Sequence, residues 1–299
     1  MGKTYILVSS QHKNWIIDFL AQDIALHHGF TVIYVPTRKI HIRSLLWKKL
    51  PKSDRVILMH QSLYTFLVGK KINLRTSIID VFYTHDQEEE IVESKNYKIR
   101  KIFCMSRNQA NQLSELFDST QIDVAIGGPN ESQFQWTDIQ RDKKVILVSD
   151  FKPRKNPTLI KSVIEECTDW TFILHGRGWQ EFIVSNGLNK RANFQYFEFN
   201  FENSHNLYLK APIFMSLSSL EGGPLPVIEA LMSGCSVVAT NTGFAQDLAE
   251  IFPNVYVIPT TSTVLQIIET LERARTAPRA EANSLKFISQ SNFLGKFHD

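Results

Sequence analysis

Short apolar runs of strand length recur along the chain, and stretches with helical spacing separate them. In the first half, six runs rich in β-branched residues predict strands buried on both faces of a parallel sheet. These runs are residues 5–9, 31–35, 56–59, 77–82, 101–105 and 123–126. The spacing also predicts a helix over residues 15–28 that stops at Gly29, and a helix over residues 106–117 with Ser106 as its N-cap.

The pattern breaks over residues 127–144 and then resumes, which predicts a linker between two domains. The second half alternates in the same way, with strands over residues 145–148, 171–175, 194–197, 213–217, 236–240 and 255–258. Its predicted helices are residues 157–166, 204–210, 226–233, 243–251 and 262–275. We expect an α/β fold of two doubly wound, Rossmann-like domains, residues 1–135 and 136–299, with ligands between them at the carboxyl ends of the strands. Packing of the last helix back onto the N-terminal domain stays open.

Composition excludes disordered, fibrous and membrane-spanning classes. The chain has 299 residues, 43% of them hydrophobic, and none of its apolar stretches approaches the roughly 18 residues of a membrane span. Its three cysteines are far apart and show no metal spacing, and the N-terminus lacks a signal-peptide pattern. We therefore expect a cytoplasmic protein, with peripheral association at the inner membrane face left open.

The segment after the predicted strand 213–217 carries the main candidate chemistry. It reads Glu221-Gly-Gly-Pro-Leu-Pro-Val-Ile-Glu229, and a helix begins within it. Two of its residues are prolines without donors, so the free amides are those of Gly222, Gly223, Leu225 and the first helical turn. These amides and the positive end of the helix dipole form an anion site, and glycines let a diphosphate approach the backbone. An ordinary strand-turn-helix connection is the alternative.

This segment resembles the signature of the family-four retaining glycosyltransferases, also called glycosyl transferases group 1, whose fold is named GT-B. The resemblance extends from about residue 145 to residue 247, with weaker traces in the first half. It implies that Glu221 contacts the donor sugar, that Gly222, Gly223 and Leu225 face the phosphates, and that Glu229 holds the ribose. The implied donor is a nucleoside-diphosphate sugar.

Basic residues in the loop after strand 145–148 also match this family. Lys155 occupies the position of a lysine that neutralises the diphosphate, whereas Asp150 stands where the family has an arginine. Lys152 or Arg154 would then have to provide the second cation, because a leaving diphosphate needs positive charge nearby. A solvated basic loop is the alternative.

Three further segments resemble the family more weakly. Gly176 lies in a Gly-x-Gly turn, Thr242 and Gly243 lie in the loop expected beneath the donor, and His85 follows a strand where the family has a histidine beside the anomeric carbon. Each has an ordinary structural alternative: a plain turn for Gly176 and a hydrogen-bonded strand-end histidine for His85.

Residues 38–52 hold six basic residues, no acidic residue, and apolar residues at helical spacing. Two interpretations stay open, a surface helix packed on the sheet, and peripheral contact with an anionic membrane or a polyanion. No Asp-x-Asp, His-x3-His or Cys/His zinc pattern occurs, so we expect neither a metal nor another cofactor.

Together with the residues, the resemblance implies a metal-independent retaining glycosyltransferase, with His85, Glu221 and Lys155 as catalytic residues. Donor-binding candidates are Arg154, Gly176, Gly222, Gly223, Leu225, Glu229, Thr242 and Gly243. Two alternatives are a sugar-nucleotide-binding protein without activity and a sugar-nucleotide epimerase on the same fold. The acceptor stays unidentified.

Overall fold

The chain forms two compact units in a computed structural model that describes residues 3–37, 52–72, 74, 76, 78–84, 98–134, 136–199, 206–278 and 282–298. Unit 1 comprises residues 1–128 and 293–299, and unit 2 comprises residues 129–292. The chain passes between them at Gly127 and Gly128, whose φ angles of 113° and 139° favour glycine.

Unit 1 is built on a parallel six-stranded sheet in the order β2-β1-β3-β4-β5-β6. Its strands are β1 (Thr4–Ser9), β2 (Thr31–Val35), β3 (Arg55–Leu58), β4 (Ile78–Phe82), β5 (Ile99–Cys104) and β6 (Ile122–Val124). Its described helices are α1 (Ile16–His28), α2 (Gln61–Gly69) and α3 (Arg107–Leu113), with short 3-10 helices at Ser10–His12 and Ser119–Gln121. Strand β3 is buried throughout, as expected for an inner strand of such a sheet.

The predicted ends of two helices in unit 1 can be compared with the structure. Gly29 ends α1 in the left-handed region at φ 70°, and its amide donates to Ala25 O, which confirms it as the stop. Ser106 is confirmed as the N-cap of α3, since its Oγ accepts from Gln109 N at 3.2 Å. However, α3 ends at Leu113 rather than residue 117, because the following residues form turns.

A buried arginine of the sheet in unit 1 forms an ion pair and also holds the C-terminal residues of that unit. Arg55 Nε donates to Asp80 Oδ2 at 2.7 Å, and Arg100 Nη2 approaches the same oxygen at 2.6 Å. Arg55 Nη1 also donates to Phe297 O at 3.0 Å. The carboxylate of Asp80 is fully buried, so these donors compensate for its loss of hydration.

Unit 2 repeats the architecture with the strand order β12-β11-β10-β7-β8-β9, again all parallel. Its strands are β7 (Lys144–Val148), β8 (Thr171–Gly176), β9 (Phe194–Glu198), β10 (Ile213–Ser216), β11 (Ser236–Thr240) and β12 (Val255–Ile258). Its helices are α4 (Pro157–Glu166), α5 (Gln180–Ser185), α6 (Leu225–Met232), α7 (Ala245–Ala249) and α8 (Val264–Thr276). A last helix, α9 (Gln290–Gly295), begins in unit 2 and ends in unit 1, because the boundary falls after residue 292. The 3-10 helices are Glu131–Gln133, Pro153–Lys155, Leu188–Lys190, Tyr208–Lys210 and Ala282–Ile288.

The strand order of unit 2 determines which loops are neighbours. Because β11, β10, β7 and β8 are adjacent and parallel, the loops that follow them meet at one edge of the sheet. The alternation of two doubly wound sheets predicted from the sequence is therefore confirmed. In the described part of the chain, no helix combines the length and apolar character needed to cross a membrane.

Candidate functional site

The turn between β10 and α6 presents unpaired backbone donors. Within the described residues, the amides of Gly222, Gly223 and Leu225 donate to no protein acceptor, whereas Val227 N donates to Pro224 O at 2.9 Å. No side chain caps α6, so its positive end is not neutralised there. This arrangement has the properties of an anion-binding site.

Glu221 lies immediately before these amides and forms a buried ion cluster with the preceding basic loop. Arg154 Nη1 lies 2.7 Å from Glu221 Oε2, and Lys155 Nζ contacts Glu221 Oε1. The carboxylate is only 6% exposed. Burial alone would raise the pKa of Glu221, but the charges of Lys155 and Arg154 and the attached hydrogen bonds hold it below the usual value. The Glu221 carboxyl is therefore ionised near neutral pH, and two basic side chains lie against it.

Backbone contacts fix the basic loop to the loop that carries Glu221. Ser219 N donates to Arg154 O at 2.7 Å, and Asn156 Nδ2 donates to Leu217 O at 2.7 Å. Asn156 has φ 53°, a conformation that asparagine tolerates better than most residues. The predicted residues Glu221, Lys155 and Arg154 are thus brought together, although the sequence did not reveal that they pair with each other.

Glu229 lies one helical turn after Leu225 and meets a partner that sequence reasoning missed. The hydroxyl of Tyr208 donates to Glu229 Oε2, and Tyr208 itself is only 1% exposed. Burial raises the pKa of Glu229 to about 7, against the opposing effect of the Tyr208 hydrogen bond. Glu229 is therefore a carboxyl group that titrates close to neutral pH.

The glycines predicted near the donor have packing roles that can be measured. A Cβ on Gly176 would lie 1.8 Å from Ser149 O, and a Cβ on Gly243 would lie 2.9 Å from Gly222 O. Gly243 also has φ 55°. Gly243 therefore lets the loop after β11 pack directly against the turn before α6, whereas Gly176 allows β8 to approach the end of β7.

The loop after β11 is held to the same edge of the sheet by hydroxyl and amide contacts. Thr240 Oγ1 donates to Ser218 O at 2.5 Å, and Thr242 N donates to Thr240 O at 2.7 Å. Thr242 is half-buried. The loops that contain Thr242 and Glu221 are therefore neighbours, as the strand order requires.

Asp150, at the position where the resemblance expects an arginine, pairs with Arg177, which follows the next strand, β8. Arg177 Nη2 lies 2.6 Å from Asp150 Oδ2, and Arg177 Nε and N donate to Asp150 Oδ1 at 3.0 and 3.2 Å. This contact holds the pKa of Arg177 above its usual range. The Gly-x-Gly pattern predicted a turn around Arg177, but it did not indicate that Arg177 pairs with Asp150.

In unit 1, polar side chains gather at the carboxyl ends of β1, β3 and β4. The rings of His12 and His60 lie 4.9 Å apart, and His60 Nε2 lies 3.0 Å from Thr84 Oγ1. Burial lowers the pKa of His12. The candidate His85 lies just beyond Thr84, outside the described residues, as does the basic segment over residues 38–51, so their assignments stay predictions.

Comparison with known proteins identifies the family of this chain. The model of the family described as glycosyl transferases group 1 matches residues 130–286, more than half of the chain. The chain belongs to glycosyl transferases group 1. No curated protein matched it.

Solved structures support the same fold for this group 1 member. Anabaena HepE in complex with UDP-glucose has a TM-score of 0.76 at 14% identity, over 99% of this chain and 98% of that one. Sucrose-phosphate synthase from Thermosynechococcus elongatus has a TM-score of 0.70 at 13% identity, over 98% and 97%. The galactosyltransferase WaaB of the lipopolysaccharide outer core, in its apo form, also has a TM-score of 0.70, at 10% identity over 98% of both chains. At these identities the likeness shows the GT-B fold.

The partly buried carboxyl of Glu229 leads to a stability prediction. Its folded-state pKa of about 7 exceeds the value of about 4.3 in an unfolded chain, so its ionisation destabilises the fold as pH rises through that interval. We expect Glu229→Gln to raise the free energy of unfolding by about 2 kcal/mol at pH 8 relative to wild type, and the gain to shrink towards pH 4. Urea denaturation at both pH values measures this.

Glu272→Gln is the control for that comparison. Hydrogen bonding to Lys143 lowers the pKa of Glu272, so this substitution should give no gain at pH 8. An effect of Glu229→Gln that is equal at pH 4 and pH 8 would contradict the assignment.

Proposed function

We propose that this chain is a retaining glycosyltransferase that moves a sugar from a nucleoside-diphosphate donor to a hydroxyl group of an acceptor, without a metal ion or another cofactor. One observation carries the proposal: three free amides at the start of α6 and in the turn before it adjoin the ion cluster of Glu221, Lys155 and Arg154. Membership of glycosyl transferases group 1 supports it.

The free amides and the cations are suited to a diphosphate. The amides of Gly222, Gly223 and Leu225 would donate to its oxygens, and the end of the α6 dipole would add positive potential. Lys155 is 15% exposed and Arg154 is 31% exposed, so both can exchange part of their contact with Glu221 for a ligand oxygen. Because the cluster holds two cations for one carboxylate, its net charge favours an anion.

The two glutamates would bind hydroxyl groups on opposite sides of the phosphates. Glu221 precedes the amides and would accept hydrogen bonds from the transferred sugar, whereas Glu229 would accept them from the ribose diol. Carboxylates repel phosphate but accept readily from hydroxyl groups. This division assigns Glu221 to the reacting end of the donor.

The reaction needs charge stabilisation more than a side-chain base. The bond between the anomeric carbon and the phosphate oxygen breaks, and its electron pair stays on the diphosphate. The acceptor oxygen forms the new bond on the same face, and its proton passes to the departing phosphate. Lys155, Arg154 and the free amides would stabilise the charge that develops on that oxygen. Protein cations would thus take the place of a metal ion, and His85 would lie beside the sugar.

Uridine diphosphate sugars are the first donors to test. HepE, which shares the fold, was solved with UDP and glucose and with UDP-glucose. The pneumococcal O-GlcNAc transferase GtfA was solved with UDP and GlcNAc. Thermal shift with a panel of nucleotide sugars should show stabilisation by the true donor, because ligand binding stabilises the folded state by mass action. A flat response to the whole panel would refute the proposal.

A binding protein without catalytic activity is the second candidate. Asp150 stands where the resemblance places an arginine, and its partner Arg177 has its charge neutralised by this contact. The resulting site has less positive charge than the family pattern implies. Donor binding without donor hydrolysis or transfer would favour this candidate.

The glutamate that precedes the amides provides a test of the assigned roles. We expect Glu221→Ala to lower transfer and donor hydrolysis at least about 100-fold, because a sugar contact is lost and the cations lose their orientation. Affinity for UDP alone should stay the same or increase, since Lys155 and Arg154 are released. Calorimetry with UDP and a hydrolysis assay measure the two effects.

Glu165→Ala is the control, because Glu165 forms an ion pair with Lys161 at 3.0 Å on the surface of α4, away from the turn before α6. It should leave both readouts unchanged. A parallel loss of UDP affinity and turnover in Glu221→Ala would argue against a sugar contact.

A further inference from the structure

Tyr208 contacts the helix that begins the proposed donor site, although no motif in the sequence singles it out. It starts the 3-10 helix Tyr208–Lys210, just before β10. Its ring packs against Phe134 and Phe214, with centroid distances of 6.1 and 6.0 Å. The core of unit 2 therefore holds the phenol in place.

The contact between Tyr208 and Glu229 is fixed from both sides. Cys235 Sγ donates to Tyr208 O at 3.3 Å, which restrains the tyrosine backbone. Ser233 donates to Glu229 O through N at 3.0 Å and through Oγ at 2.9 Å, which restrains α6. The phenol donates to Glu229 Oε2, and within the described residues Oε1 accepts no hydrogen bond. One carboxylate oxygen is thus held and the other is left for a ligand.

The phenol of Tyr208 stays protonated and therefore always donates in its hydrogen bond to Glu229. Burial, and then the charge of Glu229, raise the pKa of Tyr208 well above its usual value, so the phenol keeps its proton. Its hydrogen bond opposes the effect of burial on Glu229. Tyr208 is the titratable side chain that shifts the pKa of Glu229. The thiol of Cys235 lies beside Tyr208 and contributes to the raised pKa of the phenol. The phenol therefore favours the ionised, accepting form of the carboxyl.

We propose that Tyr208 is a positioning residue for donor recognition, whose buried hydroxyl orients Glu229 so that Oε1 accepts from the ribose diol of a nucleoside diphosphate. This inference rests on the proposed function, because it requires a donor nucleotide at the turn before α6. Tyr208 itself touches no ligand in this proposal. It acts on the ribose end of the donor through Glu229.

A purely structural role for Tyr208 makes a different prediction. Packing against Phe134 and Phe214 requires the ring but not the hydroxyl, so Tyr208→Phe keeps the packing and removes only the hydrogen bond. A structural defect would weaken every nucleotide equally. A positioning defect would weaken only those nucleotides that present the full ribose diol.

The experiment compares the binding of UDP and 2′-deoxy-UDP by calorimetry. We expect the wild-type chain to prefer UDP by about 10-fold, the value typical of one hydrogen bond to a charged acceptor. In Tyr208→Phe and in Glu229→Gln the preference should fall to about 3-fold or less, with little change in affinity for the deoxy nucleotide. Tyr256→Phe in the same unit is the matched control and should keep the full preference.

The titration of Glu229 gives a second readout, independent of ligand. In NMR spectra of the side-chain carboxyl carbon, the midpoint for Glu229 should move to higher pH in Tyr208→Phe, because the stabilising donor is gone. An unchanged midpoint together with an unchanged preference for UDP overturns this inference and leaves the proposed function intact. Failure of the wild-type chain to bind UDP, GDP or ADP overturns both.

Discussion

Replacing Gly176 with alanine is expected to unfold unit 2 or to destabilise it by several kcal/mol. The added Cβ would lie 1.8 Å from Ser149 O and 2.9 Å from Trp179 Nε1, which donates to the same oxygen at 2.7 Å. A backbone carbonyl cannot move away without separating β7 from β8, so the clash cannot be relieved by rotation of a side chain. Overpacking of this kind costs about 1–3 kcal/mol even in adaptable cores, and more where backbone must shift.

Thermal denaturation of Gly176→Ala and Gly69→Ala gives the comparison. Gly69 ends α2, and a Cβ there meets nothing within 4 Å, so alanine should be neutral or slightly stabilising. If Gly176→Ala melts within a degree or two of wild type, β7 and β8 do not approach as closely as described.

Replacing Lys155 with alanine is expected to reduce turnover about 100- to 1000-fold, the range observed when one group that stabilises developing charge is removed. Lys155 is the less exposed of the two cations on Glu221, and its loss leaves Arg154 to keep that carboxylate paired. The fold should therefore persist, with a modest loss of stability. Initial rates of UDP release from the donor, measured with thermal melting of the same sample, separate the two effects.

Lys161→Ala is the control for this prediction, since Lys161 lies on α4, shortly after Lys155, and forms a surface ion pair with Glu165. It should keep wild-type turnover. Activity of Lys155→Ala above about a tenth of wild type would remove Lys155 from the proposed catalytic residues.

The periodicity of the sequence predicted the strands better than the helix ends. Buried parallel strands are continuous apolar runs, which is why all twelve predicted strands have counterparts in the structure. Helix ends depend on local hydrogen bonds, so the helix predicted over residues 243–251 is only Ala245–Ala249. The predicted helix over residues 204–210 is, in its described part, a 3-10 helix at Tyr208–Lys210. Single hydrogen bonds of this kind leave little trace in periodicity.

In the candidate site too, the sequence predicted features formed by neighbouring residues but not contacts between distant ones. The turn with Gly222 and Gly223 could be predicted because its amides, glycines and helix start are contiguous in sequence. The contacts of Glu229 with Tyr208 and of Asp150 with Arg177 join residues 21 and 27 positions apart. Tyr208 and Glu229 lie on either side of β10, whereas Asp150 and Arg177 follow the neighbouring strands β7 and β8, so only the folded positions of these elements bring the partners together. Tyr208 was missed for this reason.

The link between the basic loop and the loop of Glu221 limits how this protein can be redesigned. Since Ser219 N and Asn156 Nδ2 tie the two loops together, a graft that replaces one of them alone would break both contacts and misplace Lys155. The two loops therefore form a single module for transplantation between relatives. Efforts to alter the choice of nucleotide should target other loops at the same edge of the sheet, where changes leave this module intact.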